Sequence, residues 1–460
     1  MIRHLSDVAS ATVGKLIGAD REFSRVNQDT RKLGKDELFI AIKGENFDGH
    51  EFVAQAEKCG AAGALVQRQV ASALPQVLVQ DTRKALGLYA SHWRKRFKLS
   101  LVGVTGSSGK TTLKEMIASI LKVSGTTLAT RGNLNNDIGM PLTLLELDAS
   151  CRYAVIEMGT NHPGEISYLA ELAAPSVSVI TNAGPAHLEF LRDIAGVAKE
   201  KGAVYTHLAA DGVAVINADD TYAPLWREMA GSRAQRSFGF KPTADFHPHP
   251  GSLQQTASGS WQFRLVSPLG EADLLVSLPG RHNVANALAA AAAATAAGAT
   301  LAEVREGLAH APVTSGRLIV SEGLRGCRLI DDTYNANPLS VAAAAEFAAG
   351  FGGAAWTVLG DMGELGPSAE RLHAETGAKL RAAGIERLYG LGPMSRHTVE
   401  AFGEGARWFA EVDALVRTLR AELTPEVTLL VKGSRSMRME RVVEALRAPG
   451  PASKTANGDH

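Results

Sequence analysis

The chain lacks most of the features that would place it in a class at once. It has three cysteines in 460 residues, Cys59, Cys151 and Cys327, far apart and without the close spacings of a metal site. That argues against a disulfide-stapled secreted scaffold and for a reducing cytoplasm. Charge of one sign is missing too, since 48 Lys and Arg balance 48 Asp and Glu. No global field favours nucleic acid or an anionic membrane, so an anionic ligand needs a local site. No apolar run approaches the roughly 18 to 20 residues that span a bilayer. The opening segment MIRHLSDVASATVGKLIGAD has no apolar core long enough for a secretory signal.

What is present is ordinary globular composition over a length that suggests about three domains at roughly 150 residues each. Residues 1–82 mix short β-type runs (ELFIAI, QVLVQ) with a helical stretch, HEFVAQAEKCG, and read as a small α/β domain. The segment 82–98 has helical apolar spacing and a basic end, as expected of a linking helix. From 99 to 314, apolar runs such as LVGVT, YAVIEMG, SVSVITN and GVAVINADD alternate with helical stretches. That alternation predicts a parallel sheet with flanking helices, whose ligands collect at the strands' carboxyl ends. Thr105, Glu157, Asn182 and Asn217 fall there. VANALAAAAAATAAGA, from Val284, is expected to be a helix packed closely on a neighbour. Residues 315–460 repeat the alternation as a smaller Rossmann-like domain; the tail PASKTANGDH is expected to be disordered.

The clearest chemistry lies in GVTGSSGKTT, Gly103 to Thr112. A phosphate loop of the form G-x-x-x-x-G-K-[ST] wants glycine where Val104 stands. The stretch is therefore either a chance turn or a variant loop. It follows an apolar run and precedes a helical one, so a helix N-terminus would present free N–H groups to an anion. Lys110 would reach the β- and γ-phosphates and the Thr111 hydroxyl would ligate Mg²⁺. Glu157 is either a metal-binding acid facing the loop or a plain strand-end carboxylate. His187 is either a ligand or a structural histidine.

Taken together, TGSSGKTT, NLNNDIGMP, EMGTNHPGEI, TNAGPAHLE, AKEKG, NADD, LPGRHNVANALAA, SGR, DDTYNANP, LGDMGELG and VKGSRSMRMERVV occur in the order seen in the Mur ligases. The resemblance runs from residue 24 to about 445. It accounts for Val104, because this family uses a shortened TGxxGKT loop. DDTYNANP, VKGSR and FDGHEFVAQA resemble the branch that adds D-Ala-D-Ala to a UDP-N-acetylmuramoyl-tripeptide; other Mur ligases and folylpolyglutamate synthetases share less. The resemblance implies a bacterial cytoplasmic ligase, a monomer using ATP and Mg²⁺ through an acyl phosphate.

The resemblance also implies a distribution of roles. Gly106, Ser107, Ser108, Gly109, Lys110, Thr111 and Thr112 would hold phosphates, with Asn283, Asn286, Arg317 and Asp332 at the nucleotide. Thr111 and Glu157 would hold one Mg²⁺, and His187 a second. A carbamylated lysine would bridge them; Lys201 matches better than Lys199, although the family often has Glu where Ala203 stands. UDP-sugar contacts would fall on Asp29, Thr30, Arg31, Phe47, Asp48, Gly49 and His50. Asn133, Asn135, Asn136 and Asn161 would approach the same substrate. Asn335, Asn337, Lys432, Ser434 and Arg435 would meet D-Ala-D-Ala, with Lys or Arg pairing its carboxylate. Closure of the domains would exclude water, with hinges near 82–98 and 312–316.

Overall fold

The computed structural model describes residues 2–44, 47–256 and 259–448. The tail expected to be disordered lies outside the described residues. The fold is α/β throughout, organised on three main sheets. The first has five strands in the order Lys15–Ile17, Gln76–Leu78, Gly63–Val66, Leu38–Ile40, Val26–Asn27, with only the Lys15–Ile17 edge antiparallel.

The second sheet is wholly parallel, ordered Ala234–Phe238, Val213–Asn217, Val177–Ile180, Ser100–Thr105, Tyr153–Glu157, Thr127–Ala129. Its four inner strands are short, β-branched-rich runs buried on both faces, as covered parallel strands must be. Later strands add on both sides of Ser100–Thr105, so its carboxyl end lies at the reversal of strand order where α/β sheets bind ligands. Val104 is a fully buried residue of that strand, paired in register with Glu157 and Val179. The generic glycine position is thus inside the sheet, and the tight turn begins only at Gly106.

One face of this sheet carries the phosphate-loop helix Lys110–Ser124 and the alanine-rich helix Arg281–Ala296. Ala287 to Ala294 are all buried, and their small side chains let the two helices approach closely. The same core takes in a small antiparallel sheet, chiefly the hairpin Trp261–Ser267 and Gly270–Val276. Trp261–Leu265 does alternate apolar and polar residues, but one such hairpin inside a parallel-sheet block does not mark out a separate sheet.

The other face is continuous with the first sheet. Leu5, Val8 and Leu38 share one cluster with Leu101, Met140 and Ile166, joined by Leu86, Tyr89 and Trp93 of the helix Thr82–Arg94. The segment expected to hinge is therefore a buried strut. Trp93 Nε1 donates to Leu147 O at 3.0 Å and Arg94 Nε to Ala173 O at 2.8 Å. In 312–316, the other expected hinge, residues 312–314 have no regular structure and 315–316 lie in a turn.

The third sheet runs Ile319–Glu322, Arg328–Asp332, Val427–Lys432, Ala354–Gly360, Arg387–Leu391, Ala406–Phe409, parallel except at the Ile319–Glu322 edge. Among the described residues no helix is long and apolar enough to cross a membrane, and all three cysteines are free thiols.

Candidate active site

The carboxyl ends of the second and third sheets face each other across a crevice of about 930 Å³. The phosphate loop forms its floor. Gly106 has φ 147°, and a Cβ there would fall 1.7 Å from Thr181 Oγ1; Gly109 has φ 82°, with Asn286 Oδ1 at 2.9 Å from such a Cβ. Both positions therefore require glycine. The loop is braced from the neighbouring strand's end. Ser107 N donates to Asn182 O at 3.0 Å, Ser108 N to Asn182 Oδ1 at 3.1 Å, and Thr181 Oγ1 to Ser108 O at 2.6 Å. Asn182, noticed in the sequence only as a strand-end polar residue, is a main support of the loop.

Lys110 Nζ donates to Gly106 O at 2.8 Å, and burial lowers its affinity for a proton. Across the loop, Glu157 Oε1 accepts from Asn135 Nδ2 at 2.8 Å, while its buried Oε2 has no hydrogen-bond partner. A buried carboxylate oxygen left bare is costly unless something cationic meets it. No group of three His, Cys, Asp or Glu that could hold a metal occurs among the described residues. The donors present, Thr111 and Glu157, suit an ion that takes its remaining oxygens from phosphate and water, as Mg²⁺ does.

Lys201 is buried behind this wall, whereas Lys199 is exposed. Burial, reinforced by Lys110, drives the Lys201 amine well below the ordinary lysine range, towards its neutral form. Burial also lowers the His187 imidazole, against the pull of Glu364. His187 Nδ1 lies 2.6 Å from Glu364 Oε2, so the imidazole and the carboxylate are in direct polar contact.

The third sheet contributes the opposite wall. Arg317 Nη2 donates to Thr111 Oγ1 at 2.9 Å, and its guanidinium stacks 4.3 Å from the centre of the Tyr334 ring. Asn337 caps the helix Pro338–Ala349, accepting from Ser340 N at 2.9 Å, and its Nδ2 reaches Ser108 Oγ at 3.0 Å. Lys432 is buried and spends its ammonium on Asp332 Oδ2 at 2.5 Å, Asp332 O at 3.5 Å and Asn335 O at 2.8 Å. The lysine expected to meet a ligand carboxylate is thus a clamp inside the domain, and Arg435 is the exposed cation beside it. Asn283 donates to Pro279 O at 2.6 Å and accepts from Asn286 at 3.0 Å, which fixes the amide nearest the loop.

Of the residues expected at the site, the loop from Ser107 to Thr112 lines the crevice, as do Asn133, Asn135, Asn136, Glu157, Asn161 and His187. So do Asn283, Asn286, Arg317, Asp332, Asn335, Asn337, Lys432, Ser434 and Arg435. Gly106 and Lys201 lie outside its lining, as do the seven residues expected at the UDP-sugar. Within that set His50 is buried; its Nδ1 meets Asp48 Oδ1 at 2.5 Å and its Nε2 accepts from Gln67 N at 2.8 Å. A Cβ on Gly49 would meet Ile42 O at 2.6 Å. Asp48, Gly49 and His50 therefore shape their loop, while Phe47 and the Asp29–Arg31 pair, 2.8 Å apart, stay accessible. Glu364, His282 and Tyr334 also line the crevice and were not singled out from the sequence.

Comparison with known proteins gives three family matches in order: the Mur ligase family catalytic domain over residues 22–94, the Mur ligase middle domain over 104–294, and the Mur ligase glutamate ligase domain over 316–435. A UDP-N-acetylmuramoyl-tripeptide–D-alanyl-D-alanine ligase of Escherichia coli is 43% identical over 448 residues, covering 97% of this chain and 98% of that protein. A crystal structure of MurF from Acinetobacter baumannii superposes with a TM-score of 0.91 at 35% identity, over 96% of this chain and 98% of the other. MurF ligase from Thermotoga maritima, in complex with ADP, matches at 0.81 and 28% identity over 92% and 96%.

Proposed function

The chain belongs to the Mur ligase family, and from that premise we propose that it joins D-alanyl-D-alanine to a UDP-N-acetylmuramoyl-tripeptide, with ATP converted to ADP and phosphate. The observation that carries this is the crevice itself. A phosphate loop, a bare buried carboxylate oxygen and a cation-bearing sheet edge meet there within one cavity.

A carboxylate is a poor electrophile, so the tripeptide's terminal carboxylate first takes the γ-phosphoryl group and releases ADP. The dipeptide amine then attacks the acyl carbon, loses a proton, and the tetrahedral intermediate expels phosphate as the amide forms. Lys110 and Arg317 offset the charge of two anions brought together. Thr111 and Glu157 would hold Mg²⁺, with His187 and Lys201 as its carbamate at a second ion, and bound metal would neutralise the phosphates. The shift of Lys201 towards a neutral amine supports that role, since only the neutral form adds CO₂. Asn286, Asn283 and Asp332 face the nucleoside. Asn135 orients Glu157, while Asn133, Asn136 and Asn161 face the muramoyl peptide. Arg435 and Ser434 take the dipeptide carboxylate, with Asn335 and Asn337 shaping that wall.

Residues 1–82, 99–314 and 315–460 then act as UDP-sugar, ATP and dipeptide domains, with Asp29, Thr30, Arg31 and Phe47 the accessible uridine-side contacts. Such an enzyme works in the bacterial cytoplasm, where its nucleotide substrates are. The test is phosphate release from ATP with UDP-N-acetylmuramoyl-tripeptide, with and without D-Ala-D-Ala. Release that requires both substrates is expected. Release independent of the dipeptide, or none with both present, overturns the proposal.

A further inference from the structure

Glu364 comes from the third sheet's side of the crevice, yet its carboxylate lies against His187 of the second. Both residues hold left-handed backbone conformations, φ 62° and 56°, which non-glycine residues adopt at a cost. Tertiary contacts keep them there. Glu189 N approaches Glu364 O at 3.4 Å, and Gly366 packs so closely on Glu189 that a Cβ would meet its Cα at 2.8 Å. Leu188 and Leu191 bury themselves with Met362 and Leu365 in one cluster. The carboxylate is half exposed and ion-pairs with no Lys or Arg among the described residues. Nothing in the fold of its own domain explains it.

A histidine that ligates a metal through one ring nitrogen almost always gives its other N–H to a carboxylate or carbonyl, which fixes the tautomer and strengthens the ligand. We propose that Glu364 is that partner: a positioning residue that takes Nδ1–H of His187, leaves Nε2 for the metal, and does so only when the third sheet is closed on the second. The proposal rests on the metal role given to His187 above. It makes metal affinity depend on closure, and by reciprocity closure depend on metal.

The test is Mn²⁺ binding to the full chain in the presence of β,γ-methylene-ATP, followed by electron paramagnetic resonance, with small-angle scattering on the same samples. In the unaltered chain two Mn²⁺ ions bind and the particle compacts. Glu364→Ala should weaken the second ion about 10- to 100-fold and leave the first unmoved, the usual range for losing such a partner. Glu364→Gln, whose amide oxygen can still accept from Nδ1–H, should recover part of that loss. If His187→Ala leaves both ions in place, the metal role of His187 fails and this inference with it. If His187→Ala loses the second ion and Glu364→Ala does not, the inference alone is overturned. Leu339→Ala loosens the same interface at Gly184 without touching the pair. A loss of the second ion as large as in Glu364→Ala would also overturn it, since closure in general would then be the cause.

Discussion

The three main sheets meet at two junctions, and the balance of apolar and polar contacts differs between them. Between the first and second sheets, a continuous apolar core runs through the helix Thr82–Arg94, with Arg3 stacked 4.0 Å from the centre of the Trp93 ring. Between the second and third, polar contacts (Arg317 on Thr111, Asn337 on Ser108, Glu364 beside His187) stand beside a narrower apolar contact, in which Leu188, Leu191 and Val197 are buried against the third sheet's core. Close-packed cores resist small displacements. The polar contacts of the second junction lie beside a connection, 311–314, without regular secondary structure. On the proposed function, the more apolar junction would lie beside the UDP-sugar domain and the more polar one where phosphoryl transfer needs water excluded.

The sharpest way to break this comparison is Trp93→Ala. Removing a buried aromatic from a shared core should cost about 3–5 kcal/mol, and the first two sheets should lose structure together in urea. Separate transitions for them would show that the core does not couple them. The counterpart at the second junction is Arg317→Ala. It should lower kcat/KM for ATP about 10²- to 10³-fold, the scale of losing one transition-state donor, with little change in urea midpoint. A large stability loss instead would make this junction structural like the first.

A third prediction concerns pH. His373 is buried, and its Nε2 accepts from Met362 N at 2.9 Å while Nδ1 lies 2.8 Å from Ala369 O, an arrangement that requires neutral imidazole. Burial holds its affinity for protons below that of an ordinary histidine. The unfolded chain then binds more protons than the native one, so this stabilisation is complete above about pH 6.5 and is lost as pH falls through and below it. The segment held this way carries Glu364. Urea midpoints of the third sheet should drop on acidification, and His373→Gln should flatten that dependence; an unchanged slope would exclude His373 as its source. The smallest effect belongs to Asn337→Ala, which removes a helix cap and the link to Ser108 and should cost about 1 kcal/mol, read as a shift in urea midpoint. A loss several times larger would mean that the second junction is as tightly coupled as the first.

Much of the site was legible in the sequence because it is local. A phosphate loop needs strand, glycines, lysine and helix in one continuous stretch, and Glu157 and Asn217 end apolar runs that announce themselves. The antiparallel insertion around Trp261–Val276 was harder to read: Trp261–Leu265 alternates, but which sheet such a hairpin joins depends on packing far along the chain. Lys432 lines the crevice as expected, but nothing near it in sequence reveals its pairing with Asp332 a hundred residues away. Nor does the sequence near Asp48, Gly49 and His50 reveal Gln67 and Ile42, which hold that loop in place.

By itself, then, the sequence determined the alternation of strands and helices, the phosphate loop with its shortened form at Val104, and the family-wide order of polar segments. These depend on periodicity and on residues close along the chain. Tertiary structure alone decided that the helix Thr82–Arg94 is a strut and not a hinge, that Lys432 is a clamp, and that Glu364 meets His187. Each of those depends on which distant surfaces are buried against each other, and that is set by packing, not by local spacing.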